Sequence, residues 1–187
     1  MTNWTLRYLE LARQVGLWSK DPSSQLGAVV VGDKKQILSQ GYNGFPRGIN
    51  DDDRLLDREK KYPRIVHAEM NCIYNACLNG VSLNNGDMYI HGLPVCHNCV
   101  PGIIQVGIAR VYMAMPVNEP ERTKKWNDSW MLSKEMLTEA GVVYQAYGYE
   151  SGSDSWLDSA GLTESNWREL KDADRWDYSL RRAKPVG

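Results

Sequence analysis

No apolar run in this 187-residue chain comes near the roughly 20 residues that a membrane-spanning helix needs. The first helix-like stretch is interrupted by Arg7, Glu10 and Arg13, so it does not read as a secretory signal. The cytoplasm is the simplest compartment, and no membrane partner is expected. An excess of one charge is also missing: 22 Lys and Arg face 23 Asp and Glu, a net charge of −1 with both signs interspersed. A long nucleic-acid polymer as the main ligand usually demands a basic stripe, and none is visible. A nucleotide is not excluded, because a few local cations suffice to hold it. Cysteine is scarce, at four residues. Without a secretory signal, metal binding is the better reading of them than disulfides. There is no internal repeat, and no domain boundary before residue 148.

What is present suits one folded domain. Charged residues make up 24% and the apolar set 42%, and the length is enough for a real core. Residues 3–18 read as a helix, with Trp4, Tyr8, Leu11, Val15 and Trp18 lining one face. Asp21-Pro22-Ser23-Ser24 ends it. Leu26–Val31 and Ile37–Tyr42 read as a hairpin around Gly32-Asp33-Lys34-Lys35. A shaped loop, Gly41-Tyr42-Asn43-Gly44-Phe45-Pro46-Arg47-Gly48, runs on through Asp51-Asp52-Asp53 to Lys61 without a clear element. A loop of that length is functional or merely solvated.

Val66–Asn79 reads as the second helix, with Met70, Ile73, Ala76 and Cys77 on its buried face. A strand over Asp87–His91 follows, then a helix from Val100 to Val106 and a strand from Arg110 to Met115. Thr123–Ala140 is amphipathic and helical, and Val142–Tyr147 is the last strand. The order α-β-β-α-β-α-β-α-β predicts an α/β protein with one mixed five-stranded sheet and helices on both faces. Residues 1–149 then form the catalytic domain. Residues 150–187 form an extension with a Glu-Ser-Gly-Ser-Asp-Ser hinge, a helical pattern from Thr163 to Arg182, and Trp156, Trp167 and Trp176. Three tryptophans are too much apolar surface to leave wet, so the extension is expected to pack on its own domain or on a neighbouring subunit. A separate binding role is the other reading.

The chemistry concentrates between His67 and Cys99. His67-Ala68-Glu69 is followed, 29 residues after the histidine, by Cys96-His97-Asn98-Cys99. One imidazole and two thiols make three zinc-type ligands and leave a fourth position open. His67 and Glu69 are about 200° apart around a helix, so they converge only at its open first turn. The cysteine pair sits where the next helix begins, and two helix N-termini favour thiolate over thiol. Glu69, not needed as a ligand, suits a general acid/base. A structural zinc closed by a fourth ligand is the competing reading, with His91, His97, Cys72 and Cys77 as candidates. Cys72 and Cys77 read more simply as buried small side chains.

The paired motifs H-x-E and C-x-x-C are the signature of zinc-dependent nucleobase deaminases, which the chain resembles. Within that group it resembles the deoxycytidylate deaminases over residues 18–147. Ser19-Lys20-Asp21-Pro22-Ser23-Ser24-Gln25-Leu26-Gly27-Ala28 looks like the first loop and strand. Gly41-Tyr42-Asn43-Gly44 looks like the loop after the second strand, and Lys61-Tyr62-Pro63 with His67-Ala68-Glu69-Met70-Asn71 looks like the approach to the catalytic helix. Ile103–Ile108 looks like the third helix and its exit.

The resemblance implies a cytidine-deaminase-like three-layer α/β/α sandwich, a homo-oligomer, often a hexamer, and hydrolysis of dCMP to dUMP and ammonia, which supplies dUMP for thymidylate synthesis. It implies zinc on His67, Cys96 and Cys99 and proton transfer by Glu69. Asn43 and the backbone around Ala68 would meet the base and sugar, and Ser23, Ser24 and Lys20 lie in the loop where the phosphate is held. It implies control by dCTP with Mg²⁺ as activator and by dTTP as inhibitor. That effector site would lie near Gly44, Phe45, Arg47, Asp51, Asp52 and Asn71. Broader substrate use that includes dCTP, and a structural-zinc binding module, remain as alternatives. One departure stands out: the family usually has proline directly before the first cysteine, whereas here Val95 separates Pro94 from Cys96.

Overall fold

Strand β1 (Gly27–Val31) is buried at every position, and the sheet extends outward from it on both sides. The structure, a computed structural model, describes residues 4–116, 124–149 and the two-residue strand 168–169. β1 is flanked by β2 (Ile37–Tyr42) and β3 (Asp87–His91), both antiparallel to it. β4 (Arg110–Pro116) and β5 (Val143–Tyr149) then add in parallel. The predicted order of elements is found, and so is the mixed sheet.

The sheet gains a strand that the pattern did not predict. β6 (Arg168–Glu169) pairs antiparallel with Gly148 and Tyr147, giving the order β2-β1-β3-β4-β5-β6. A helix from Thr163 to Arg182 is therefore interrupted at this point. The outer edge of β5 offers unpaired backbone donors and acceptors, and the extension satisfies two residues of them. The hinge and the three tryptophans of the extension lie outside the described residues.

Strand alternation assigns the two faces. Ala28, Val30, Met88, Ile90, Val111 and Met113 point one way, into a core shared with helices α3 (Ala68–Leu78), α4 (Val100–Gln105) and α5 (Asn127–Glu139). Val29, Val31, Tyr89 and Ala114 point the other way, under α1 (Trp4–Gly16). β3, β4 and β5 lie in chain order, and right-handed crossovers put both of their connecting helices on the same face.

Two expectations about buried faces are corrected. In α1 the buried residues are Leu6, Tyr8, Leu9, Ala12, Val15 and Gly16, while Trp4 is 50% and Trp18 57% exposed. The helix stops at Gly16, before Trp18, and turns its Leu9–Ala12 stripe inward. In α3, Cys72 is buried but Cys77 is exposed, because the helix rests on Ala68, Cys72, Ile73 and Ala76.

The loop from Asn43 to Lys61 also contains elements where none was expected. Asp52 caps a 3₁₀ turn over Asp53–Leu55, and Asp57 caps the short helix α2 (Arg58–Lys61) through the amides of Glu59 and Lys60. Aspartates ahead of these turns supply the acceptors that their first N–H groups need.

α3 carries the first half of the site, and it is fixed closely to β2. A side chain at Gly41 would collide with the backbone of Cys72, so only glycine permits this approach. Asn71 Nδ2 donates to the Tyr42 carbonyl at 2.7 Å and Asn75 Nδ2 to that of Gln40 at 2.6 Å. Ser39 Oγ returns a bond to the Cys72 carbonyl at 2.7 Å.

Candidate active site

His67 is the N-cap of α3, with extended backbone and no capping bond from its side chain. A capping residue normally turns its side chain back onto the first amides. Here the imidazole turns instead toward two sulfurs. Its Nδ1 lies 3.2 Å from Cys96 Sγ and 3.3 Å from Cys99 Sγ, and the sulfurs share a hydrogen bond at 3.4 Å. Cys99 is the N-cap of α4, and Cys96 closes the turn before it through bonds from the Cys99 and Val100 amides to its carbonyl. Among the described residues this is the one group of three His, Cys, Asp or Glu side chains with donor atoms within 4.8 Å of one another.

The triangle fits a zinc ion. Zinc–sulfur bonds of about 2.3 Å and zinc–nitrogen bonds of about 2.0 Å at tetrahedral angles separate the ligand atoms by about 3.5–3.8 Å. The observed edges are a few tenths of an ångström shorter, which a small outward turn of each side chain supplies. Both cysteines are free thiols, and two sulfurs with one imidazole suit this borderline-soft metal.

The residue between Pro94 and Cys96 is absorbed by packing. The Val95 side chain is fully buried, and its carbonyl accepts a 2.9 Å bond from Ser133 Oγ of α5. His97 is tied to the same helix, its Nδ1 lying 2.9 Å from Ser129 Oγ and its amide donating to that oxygen at 3.2 Å. α5 thus braces the cysteine turn, and His97 points to α5 rather than completing the ligand set.

Glu69 follows His67 by two residues in the first turn of α3 and is 4% exposed. It shares the wall of one cavity of about 180 Å³ with His67 and Cys96. Burial raises its carboxyl above the ordinary value, and the charge of His67 opposes the rise. The hydrogen bond with Cys99 pulls Cys96 well below its ordinary value, with His67 adding to the effect. The same bond, and burial, push Cys99 up. The bond to Cys96 raises His67 to about 9.

Comparison with known proteins identifies the family. Residues 2–115 match the model of the cytidine and deoxycytidylate deaminase zinc-binding region. The chain belongs to this deaminase family. It is 37% identical over 142 residues to the uncharacterized deaminase of the luxG 3′ region of Aliivibrio fischeri, covering 76% of this chain and 92% of that one. It is 36% identical over 129 residues to the deoxycytidylate deaminase of Mus musculus, covering 64% and 70% of the two chains. In fold it is similar to the dCMP deaminase of the cyanophage S-TIM5, at TM-score 0.60 and 21% identity, over 78% of this chain and 99% of the other.

The His67, Cys96 and Cys99 group fits a zinc-binding family, Glu69 stands beside it in the cavity wall, and the other expected residues divide around them. Asn43, Ser23 and Ser24 line the cavity. The Asn43 amide works inside the protein, its Oδ1 accepting from the Leu26 amide at 2.8 Å and its Nδ2 donating to the Ser24 carbonyl at 2.8 Å. Ala68 is fully buried in the core beside Cys72, so its methyl does not reach the cavity.

Of the expected effector residues, none lines the cavity. Gly44 bridges to Val66, Phe45 lies under the Arg54 guanidinium, and Arg47 bonds Asn75. Asp51 pairs with Lys20 at 3.0 Å, Asp52 with Arg54 at 2.7 Å, and Asn71 holds β2.

Sequence reasoning passed over Asp21, Arg58, Lys61 and Trp126, all of them cavity-lining. The sequence drew attention to Lys20, whose side chain is 71% exposed and turned to Asp51. Asp21 does carry a local signal, since Asp-Pro-Ser favours the turn in which its Oδ1 takes the Ser23 amide at 2.8 Å. Lys61 ends the charged run Arg58-Glu59-Lys60-Lys61 and stood out only as part of Lys61-Tyr62-Pro63, the approach to the catalytic helix, with no role of its own.

Proposed function

We propose that this protein is a zinc-dependent hydrolase that converts dCMP to dUMP and ammonia, with zinc on His67, Cys96 and Cys99. The observation that carries the reading is the buried Glu69 carboxyl in the wall of the cavity that His67 and Cys96 also line. A structural zinc would leave that buried carboxyl without a task. The substrate is supported by relatives named as deoxycytidylate deaminases and by the cyanophage dCMP deaminase whose complex with dCMP and dUMP shares the fold at TM-score 0.59.

Hydrolysis adds one water across the N3–C4 bond of cytosine, breaks the C4–amine bond and releases ammonia. A zinc ion held by the three ligands supplies Lewis-acid activation of that water. Glu69 takes a proton from the water, delivers it to N3, and carries the second proton to the departing amine. A carboxyl raised by burial takes up a proton from water more readily than an exposed one. Asn43 acts by holding the loop of Ser23 and Ser24 against β1, and those serines face the sugar-phosphate side of the substrate.

The same reading extends to regulation and assembly. dCTP with Mg²⁺ would activate and dTTP would inhibit through the exposed loop of Gly44, Phe45, Arg47, Asp51 and Asp52 with Asn71. The enzyme would act in the cytoplasm as a homo-oligomer, a hexamer on the family pattern, and would supply dUMP for thymidylate synthesis. Family resemblance supports these points.

The deciding experiment is ammonia release from dCMP, dCTP, deoxycytidine and CMP, each with and without dTTP. Fastest release from dCMP, suppressed by dTTP, is expected. Equal use of dCTP would broaden the substrate range. No release from any cytosine compound would overturn the function. An unchanged rate with dTTP would remove the regulatory reading alone.

A further inference from the structure

The three zinc-type ligands are not held in the same way. His67 caps α3 and Cys99 caps α4, so a helix end fixes each of these two. Cys96 belongs to no helix or strand. Its carbonyl accepts from the Cys99 and Val100 amides, which ties the turn on its far side. The residues immediately before and after it are tied to α5 instead. Ser133 Oγ donates to the Val95 carbonyl at 2.9 Å. Ser129 Oγ accepts from the His97 amide at 3.2 Å and lies 2.9 Å from His97 Nδ1. The two serines are four residues apart, so they stand one above the other on the face of α5 that meets this turn.

The burial of Ser133 shows that its hydroxyl is more than a helix filler. The residue is 0% exposed. The hydroxyl also reaches the Ser129 carbonyl at 2.8 Å, but a bond of that kind to the preceding turn does not strengthen a helix. Alanine is nearly the same size, forms helix better, and carries no polar atom into the core. What the hydroxyl adds is its hold on Val95, a residue that is itself fully buried. Two hydroxyls of one helix therefore grip the chain on both sides of a single ligand.

We infer that Ser129 and Ser133 are positioning residues that act through His97 and Val95 to hold Cys96 in the ligand triangle, and so set how firmly the site retains zinc. The inference rests on the reading of His67, Cys96 and Cys99 as zinc ligands. Without the serines, Cys96 is the ligand free to swing away while His67 and Cys99 stay at their helix ends. His97 is then a brace between α5 and the cysteine turn. Partners that orient a metal ligand change metal affinity by about 10- to 100-fold.

The test measures zinc transfer from the loaded protein to an excess of a chromophoric chelator under native conditions. Ser133→Ala and Ser129→Ala should each release zinc about tenfold faster than the parent, and the double variant up to about 100-fold faster. Ser129→Thr keeps the hydroxyl and should stay near the parent rate. Leu137→Ala is the control: Leu137 is fully buried in the same helix, so its loss loosens α5 without removing a bond to the turn. That variant should unfold more easily yet release zinc at the parent rate. Cobalt(II) in place of zinc gives a second readout, since its absorption bands follow thiolate number and geometry. The bands should change in the double variant and not in Leu137→Ala.

Serine variants that release zinc at the parent rate, or a Leu137→Ala protein that releases it as fast as they do, would overturn the inference. Ser129 is half-buried, so its variants decide the matter if Ser133→Ala does not fold. A parent that takes up no zinc would overturn the ligand reading and this inference together. A parent that holds zinc but deaminates nothing would sink the proposed reaction alone, and the release rates would still decide the role of the serines.

Discussion

The two faces of the sheet divide the protein's tasks residue by residue. Ile90 of β3 reaches the cavity, while its neighbour Tyr89 points the opposite way into a stack of rings. On the α3 side lie Glu69, Cys72, Cys96 and Cys99, each held by backbone or helix-end geometry. On the α1 side Tyr89 sits between Tyr8, at 5.0 Å between ring centres, and Tyr112, at 4.9 Å. No residue of that cluster lines the cavity. One face is arranged around reactive side chains and the other around apolar area, and the strand alternation keeps them apart.

The largest effect that would sharpen this division is expected at Glu69. Glu69→Gln keeps the shape and removes the carboxyl proposed to carry the proton, so activity should fall by about 10²- to 10⁴-fold. Metal analysis should show the zinc retained, and the thermal midpoint should not fall, since an amide carries no cost of burying charge. Full activity in this variant would remove the catalytic role of the α3 face.

The converse belongs to the α1 face. Leu9 is fully buried there, and Leu9→Ala should cost about 2–5 kcal/mol of stability through lost transfer energy and the cavity left behind. Denaturant unfolding gives that loss directly. Activity per folded molecule should stay at the parent value. A parallel drop in kcat would break the comparison by showing that packing under α1 reaches the site.

The same division governs what could be read in the chain. The candidate site was legible because each half of it is contiguous: His67 with Glu69, and Cys96 with Cys99. The helix ends that unite them also follow from local pattern. The α1 face was not legible in detail, because two stripes of apolar residues compete on that helix. Spacing of three and four fits Trp4-Tyr8-Leu11-Val15 as well as Leu6-Leu9-Ala12-Gly16, and the close backbone contact with β1 centres the buried face on the second, which keeps Tyr8 and Val15 at its margins and leaves Trp4 outside. The Asp21–Lys61 pair was invisible for a different reason. Its members are forty residues apart, and a turn and a short helix meet only through the folded sheet. Val95 shows the opposite case, where an unusual residue in the motif is accommodated by a serine on a distant helix.

The smallest effect is a dependence on alkaline pH, with one reporter on each face. Burial pushes the Cys72 thiol on the α3 side up to about 12, and pushes Tyr89 on the α1 side above its ordinary value. In both cases the native state binds the proton more tightly than the unfolded chain does. The contribution of each group is therefore complete below its unfolded value, near 9.0 for the thiol and 10.0 for the phenol, and is lost as pH rises through the native value. The stability difference between the parent and Cys72→Ala should narrow from about pH 9 upward, by at most about 1.4 kcal/mol per pH unit. The difference between the parent and Tyr89→Phe should begin to narrow about one unit higher, near pH 10. Urea unfolding across that range measures both. Two differences that stay flat would mean that neither group is sealed from water, and narrowing at Cys72 alone would mark the α1 face as the more open of the two.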